Sequence, residues 1–289
     1  GSVSGTTITW GTPVNLEAAY TTCNFLDAVY DPTLNQLWVI YSLQASTYDH
    51  KITSCTFSGT TVTQNGTPIV IRTGYHTPTG YHGNNVIYNE TDGVTIACVS
   101  DSDNSLRADF YKMSISGSTI TATAASDSTT AGGRTGLQYQ KFTWDSVSNR
   151  ILRLGYYQKA LFADSYSYTD ATPTVALTAQ SIIINPSTPT SISDNAWSVN
   201  YDDVNNFHHV GFKSNNDGEP ILIALRVTTD EIISSRPYPL SGLTGVTQSY
   251  PPLICVAVDQ TSGNLYATYS GTDDDVHGVP LGIGQNMEY

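Results

Sequence analysis

Basic side chains are scarce in this 289-residue sequence: 12 Lys and Arg stand against 25 Asp and Glu, a formal net charge of -13. A chain so acidic repels polyanions, which excludes nucleic acid and anionic membrane surfaces as natural partners. Cysteine is nearly absent. Cys23, Cys55, Cys98 and Cys255 are far apart with no CxxC pair, so no zinc motif and no disulfide framework is legible. Cys98 and Cys255 fall inside apolar strand patterns and read as core thiols. No run of eighteen apolar residues offers a membrane-spanning helix, and no leader pattern opens the chain. It begins Gly1-Ser2 without Met, which reads as a tag remnant on a fragment of a larger protein. Glu occurs five times only, and apolar residues alternate instead of recurring at three and four, which argues against helix and for an all-β chain. Ser-His-Asp and Cys-His nucleophile signatures and phosphate-binding Gly loops are missing as well.

What is present is a repeat. AVYDPTLNQLWVIYS from Ala28 returns as VIYNETDGVTIACVS from Val86, FTWDSVSNRILRLGY from Phe142, VNYDDVNNFHHVGFK from Val199 and VAVDQTSGNLYATYS from Val256. The anchor residues Asp31, Asn89, Asp145, Asp202 and Asp259 are 58, 56, 57 and 57 residues apart. An Asp or Asn accepts hydrogen bonds from backbone N–H groups just ahead of it. The residue four later (Asn35, Gly93, Asn149, Asn206, Gly263) is of a type that tolerates positive φ. That chemistry predicts a four-residue hairpin turn at every anchor, in preference to five catalytic or metal-binding acids.

Around each anchor four strands can be read, in the first repeat over residues 23–30, 36–43, 50–57 and 60–71. Short turns join the first strand to the second and the third to the fourth. Long or variable loops make the other connections, so sequence variation collects at one end of the sheets. A four-stranded antiparallel unit at this spacing predicts a β-propeller, here of five blades in one domain over residues 1–289. A β-solenoid or two stacked sandwiches are the rival architectures. The fifth repeat provides only three strands, whereas the chain opens with Val3-Ser4-Gly5-Thr6-Thr7-Ile8-Thr9, an echo of Phe57-Ser58-Gly59-Thr60-Thr61-Val62-Thr63. The amino-terminal strand is therefore expected to close the last blade and remove its open edge.

The phrases from Ser4 to Val14 and from Ser58 to Ile69, alternating with units such as Val29-Tyr30-Asp31, resemble the repeats of propeller-like regions in tail-fibre and spike proteins of marine bacteriophages and related viruses. The resemblance implies a virion-surface, extracellular domain. Its partners would be a host cell-surface glycan or protein and the remainder of a viral spike or fibre, with no membrane insertion. It transfers no catalytic residue.

The variable end carries Tyr20, Tyr75, His76, Tyr81, His82, Arg134, Tyr139, Trp197 and Tyr250. Aromatic rings stack on sugar faces while His and Arg bond hydroxyl groups, and Tyr-rich loops also suit protein recognition. The plain reading of so many Tyr is sheet surface and blade interface. No cofactor is expected. Asp101 and Asp103, and Asp273, Asp274 and Asp275, offer oxygen ligands for Ca²⁺ without the spacing of a known calcium loop. His208 and His209 cannot point the same way on a strand, so one is expected to be buried and hydrogen-bonded. The functional alternatives to adhesion are a multivalent lectin and a glycoside hydrolase with inner-strand carboxylates, Asp27 and Asp194, as its acid pair.

Overall fold

The computed structural model describes residues 2–4, 7–9, 11–17, 23–44, 48–74, 83–100, 108–126, 137–157, 160–184, 192–214, 220–239, 254–270 and 276–281. All regular structure there is strand. A hairpin of β1 (Ser2–Ser4) and β2 (Thr7–Thr9) precedes four meanders. The first is β3 (Cys23–Asp31), β4 (Gln36–Gln44), β5 (Tyr48–Ser58) and β6 (Thr61–Gly74), and the second is β7 (Asn84–Asn89), β8 (Val94–Ser100), β9 (Ala108–Ser116) and β10 (Thr119–Ala124). The third is β11 (Gln138–Asp145), β12 (Arg150–Tyr157), β13 (Ala160–Thr169) and β14 (Thr174–Ile184). The fourth is β15 (Ile192–Asp202), β16 (Phe207–Ser214), β17 (Pro220–Val227) and β18 (Ile232–Ser234), with β19 (Tyr238–Pro239) also on β17. The last repeat forms β20 (Ile254–Asp259), β21 (Asn264–Ser270) and β22 (Val276–Leu281). In each of these sheets the first three strands pair antiparallel in strand order, as in β-propeller blades.

Two expectations are corrected here. The structure shows four blades, not five: the first four repeats each form a four-stranded meander, the fourth with β19 added, whereas the last repeat holds only three strands among the described residues. The amino-terminal strand does not supply the missing one: β2 pairs with β1, in the register Ser4↔Thr7 that Ser58↔Thr61 repeats in the first blade. The opening phrase echoes a whole hairpin, so its second strand finds a partner in its own first strand.

The anchor turns form as the sequence predicts. All five closing residues have positive φ: Asn35 54°, Gly93 67°, Asn149 57°, Asn206 59° and Gly263 68°. Each anchor oxygen accepts a backbone N–H, from Leu34 to Asp31 at 3.0 Å, Asp92 to Asn89 at 3.0 Å, Ser148 to Asp145 at 2.8 Å, Asn205 to Asp202 at 3.0 Å and Thr261 to Asp259 at 3.0 Å. The repeated acid is a turn residue.

By contacts the chain divides into two compact units, residues 1–130 with 169–175, and residues 131–168 with 176–289. One packing rule builds both. Counting from the anchor, side chains at +7 and +9 of one blade meet those at +8 and +10 of the next. In the first unit Trp38 and Ile40 join Ala97 and Val99, with Val86 and Met113 around them. In the second, Leu152 and Leu154 join Val210 and Phe212. Strand alternation sends successive side chains to opposite faces, which lets the +7 and +9 set of one blade meet the +8 and +10 set of the next inside each unit. Burying one such side chain is worth about 1.5–3 kcal/mol.

Candidate functional site

Three inner strands lose their ladder register near the ends that adjoin the long loops. The shifts fall between Asn24 and Asp27 in β3, between Gln138 and Lys141 in β11, and between Ile192 and Trp197 in β15. Such irregularities re-aim side chains and gather beside binding sites. In β11 the consequence is a strained residue: Tyr139 has φ 48°, the one positive value among the described residues that belongs to neither Asn nor Gly. A ring-bearing residue in this region costs about 1–3 kcal/mol and persists only where the surroundings impose it. The Tyr139 ring, half-buried against the core of the second unit, lies 6.4 Å from that of Tyr156. Two residues on, Lys141 Nζ stands 5.8 Å above the Trp197 ring, a cation over an aromatic face.

Trp197 itself is 3% exposed and belongs to the core, so its place in the sequence-derived recognition set is corrected: a buried ring presents no face to a ligand. Tyr20, Tyr75, His76, Tyr81, His82, Arg134 and Tyr250 lie outside the described residues, as do Asp101, Asp103, Asp273, Asp274 and Asp275. Among the described residues no cluster of three or more His, Cys, Asp or Glu is placed to hold a metal ion.

Four residues before the anchor, two of the inner strands carry a side chain whose oxygen ties one blade to the next. Asp27 Oδ2 accepts the Val86 N–H at 3.0 Å and Asn85 Nδ2 at 2.9 Å, from the second blade. Ser198 Oγ accepts the Val256 N–H at 2.9 Å in the same way. Lys141 occupies the third copy of this position and Cys255 the fifth. Cys255 is exposed, which corrects its reading as a core thiol, whereas Cys98 is fully buried and its thiol is pushed well up by burial and then by Asp27.

The first unit holds a buried polar cluster. Asn84 Nδ2 donates to Ser42 Oγ, which faces His50 Nδ1 at 3.0 Å. Ser100 Oγ lies 2.5 Å from the Gly83 N–H and donates to the Gly83 carbonyl at 3.0 Å, and outside this cluster the partly exposed Arg72 pairs with Asp109. Ser42 has no exposure, so its contact with His50 is structural and not a nucleophile poised for substrate.

The opposite end is a set of inter-blade ties. Thr95 Oγ1 donates to Asp31 Oδ2 at 2.8 Å, the Tyr201 hydroxyl to Asp145 Oδ1 at 2.9 Å, and Gln260 Nε2 to the Tyr201 carbonyl at 2.6 Å. Both His208 and His209 are buried there, each beside its own carboxylate, whereas the sequence led us to expect one. The signal that was available is the row of acidic anchors.

No protein-family model matches the chain, and no curated protein matches it in sequence. Among solved structures it is similar to a protein from Lactobacillus plantarum at 12% identity and TM-score 0.48, over 91% of this chain and 71% of that one. It is also similar to TolB from Acinetobacter baumannii (9% identity, TM-score 0.43, 93% of this chain and 57% of that one). A third is a putative oxidoreductase (glucose dehydrogenase) from Thermus thermophilus (10% identity, TM-score 0.34, 91% of this chain and 97% of that one). The blades themselves define the class: an all-β protein of the β-propeller type.

Proposed function

We propose that this chain is a recognition module of a virion surface, a segment of a spike or tail fibre that binds a host cell-surface glycan or envelope protein through its long-loop end and performs no chemistry. The observation that carries the reading is Tyr139, an aromatic residue kept at φ 48° in an inner strand beside that end. Ordinary sheet geometry would relieve this strain, and a sheet-filling Tyr has no need of it. The resemblance of the first two repeats to viral fibre repeats supplies the biological setting, and the acidic balance of the chain agrees with a partner other than nucleic acid. Rigid blades carrying loops of unequal length suit one asymmetric contact surface.

The glycosidase alternative is weaker. Asp27 Oδ2 is engaged by two N–H donors from the neighbouring blade, a structural use that leaves the residue poorly suited to exchange protons with a substrate. A lectin with equal sugar sites between all blades is disfavoured by the divergence of the loops.

The test is binding of the immobilised chain to a glycan array and to vesicles made from bacterial outer envelopes. Retention of one glycan class or of vesicles is expected. It should be lost in Tyr139→Gly, and in a variant whose residues 75–82 are replaced by Gly and Ser. Turnover of an array glycan, or no retention by the intact chain, would overturn the proposal.

A further inference from the structure

His208 and His209 are neighbours on β16 and face opposite sides of the fourth blade. His208 is fully buried, and its Nε2 lies 3.3 Å from Oδ2 of Asp145 on the third blade. His209 is also buried, with Nε2 3.3 Å from Oδ2 of Asp202 in its own turn. The hydrogen-bond pattern assigns the tautomer. Asp145 Oδ1 already accepts the Val147 N–H at 3.0 Å, the Ser148 N–H at 2.8 Å and the Tyr201 hydroxyl at 2.9 Å. Asp202 Oδ1 accepts the Val204 and Asn205 N–H groups, both at 3.0 Å, and Asn205 Nδ2 reaches its Oδ2 at 2.8 Å. Oxygens so engaged act as acceptors, so each imidazole presents N–H from Nε2 and keeps its lone pair on Nδ1. Both Nδ1 atoms are buried and without a hydrogen-bond partner.

We propose that this pair is an acid-sensitive latch: as neutral rings the two histidines hold the fourth blade to the third blade and to its own turn, and mild acid releases them. A second proton must enter at Nδ1, where no acceptor awaits it, and a buried N–H left unbonded is costly. Two adjacent rings would charge together. The groups facing His208 are Asp145 from β11, Tyr201 from β15 with ring centroids 4.7 Å apart, and Asp203 from the turn. Those facing His209 are Asp202 and Phe207, the latter with Arg226 of β17 above its ring at 4.7 Å. Burial lowers the affinity of both rings for a proton, and the neighbouring carboxylates oppose that only in part. Both rings are therefore neutral in the folded chain at pH values where the unfolded chain binds protons, so stability is present above about pH 6.5 and is lost as the pH falls below it.

Urea unfolding of the whole chain between pH 7.5 and pH 5.0 tests this above the range in which carboxylates titrate. With two protons taken up on unfolding, the unfolding constant should rise by up to about a hundredfold per pH unit below pH 6. His208→Gln and His209→Gln should each remove up to about tenfold of that steepness, and the double variant both. In the intact folded protein, NMR should find that the imidazoles of His208 and His209, assigned among the six by the loss of their signals in the single variants, do not titrate down to pH 5.5. The same steepness in either single variant, or titration of the His208 and His209 imidazoles near pH 6.5 in the folded chain, would overturn the latch; if the double variant does not fold, the single variants and the NMR titration decide.

Discussion

Thr95 Oγ1 donates to Asp31 Oδ2 at 2.8 Å from six residues beyond its own anchor, and His208 stands at the same place in its repeat, against Asp145. One carboxylate oxygen makes the turn and the other holds the next blade. The tie appears where position +6 carries a polar side chain. Leu37, Ile151 and Leu265 fill that position elsewhere, and Asp202 turns instead to His209 of its own blade.

Thr95→Val keeps the shape of the side chain and removes the donor. Asp31 Oδ2 then loses a bond inside a buried site, a cost of about 1–3 kcal/mol. Urea unfolding at pH 7 should register this as a lower midpoint with an unchanged slope, and an unchanged midpoint would show that the tie contributes nothing.

Glycine closes the second and fifth turns because a neighbour occupies the space a Cβ would need. At Gly93, φ 67°, a Cβ would stand 3.2 Å from Thr33 Oγ1, and at Gly263, φ 68°, it would meet Asn205 Nδ2 at 2.5 Å and Val204 at 3.2 Å. Gly93→Ala and Gly263→Ala should each destabilise by about 1–2 kcal/mol through the left-handed backbone alone. Gly263→Ala should be the worse, since Val204 presses on the site as well. Thermal unfolding of the two variants side by side reads the order.

The turns were legible because their chemistry is local: an anchor oxygen and a residue tolerant of positive φ stand four apart in every copy. The blade strands were legible from alternation, and β3 matches its expected span closely. Closure was not legible, since Ser4-Gly5-Thr6-Thr7 specifies a hairpin but nothing in it says which strand its partner will be. Trp197 was misassigned for a related reason. An aromatic residue near a loop is equally a surface ring or a core ring until its blade neighbour is known, and Leu154 and Val210 belong to the same core. The strain at Tyr139 comes from a lost register, which no propensity encodes.

Arg153 shows the same limit from the buried side. It stands at +8, where the other repeats place Val39, Ala97, Val210 and Ala267, yet it is 1% exposed. Its guanidinium lies 3.3 Å from Asp164 Oδ2, 3.2 Å from the Tyr166 hydroxyl and, through Nε, 2.8 Å from Gln140 Oε1. Gln180 Nε2 adds a bond to Asp164 Oδ1 at 3.0 Å. Arg153→Met leaves Asp164 buried without its cation and should cost about 3–5 kcal/mol. Arg153→Met with Asp164→Leu removes both charges and should recover most of that loss. Calorimetry of the single and double variants measures the coupling, and simple additivity would mean that the pair does not act as one unit.

Asp27→Asn separates the structural use of that residue from a catalytic one. The carboxylate accepts two N–H bonds at Oδ2, and charge-assisted bonds are about twice as strong as neutral ones. An amide retains a single acceptor oxygen and faces Asn85 Nδ2 with like donors in one of its two orientations, so a loss of about 1–2 kcal/mol is expected. Glycan retention on the array should survive, because the residue is engaged in tying one blade to the next. A variant as stable as the parent that loses an otherwise measurable glycan hydrolysis would reverse this account of Asp27 and revive the hydrolase. Unfolding and hydrolysis must therefore be measured on the same preparation.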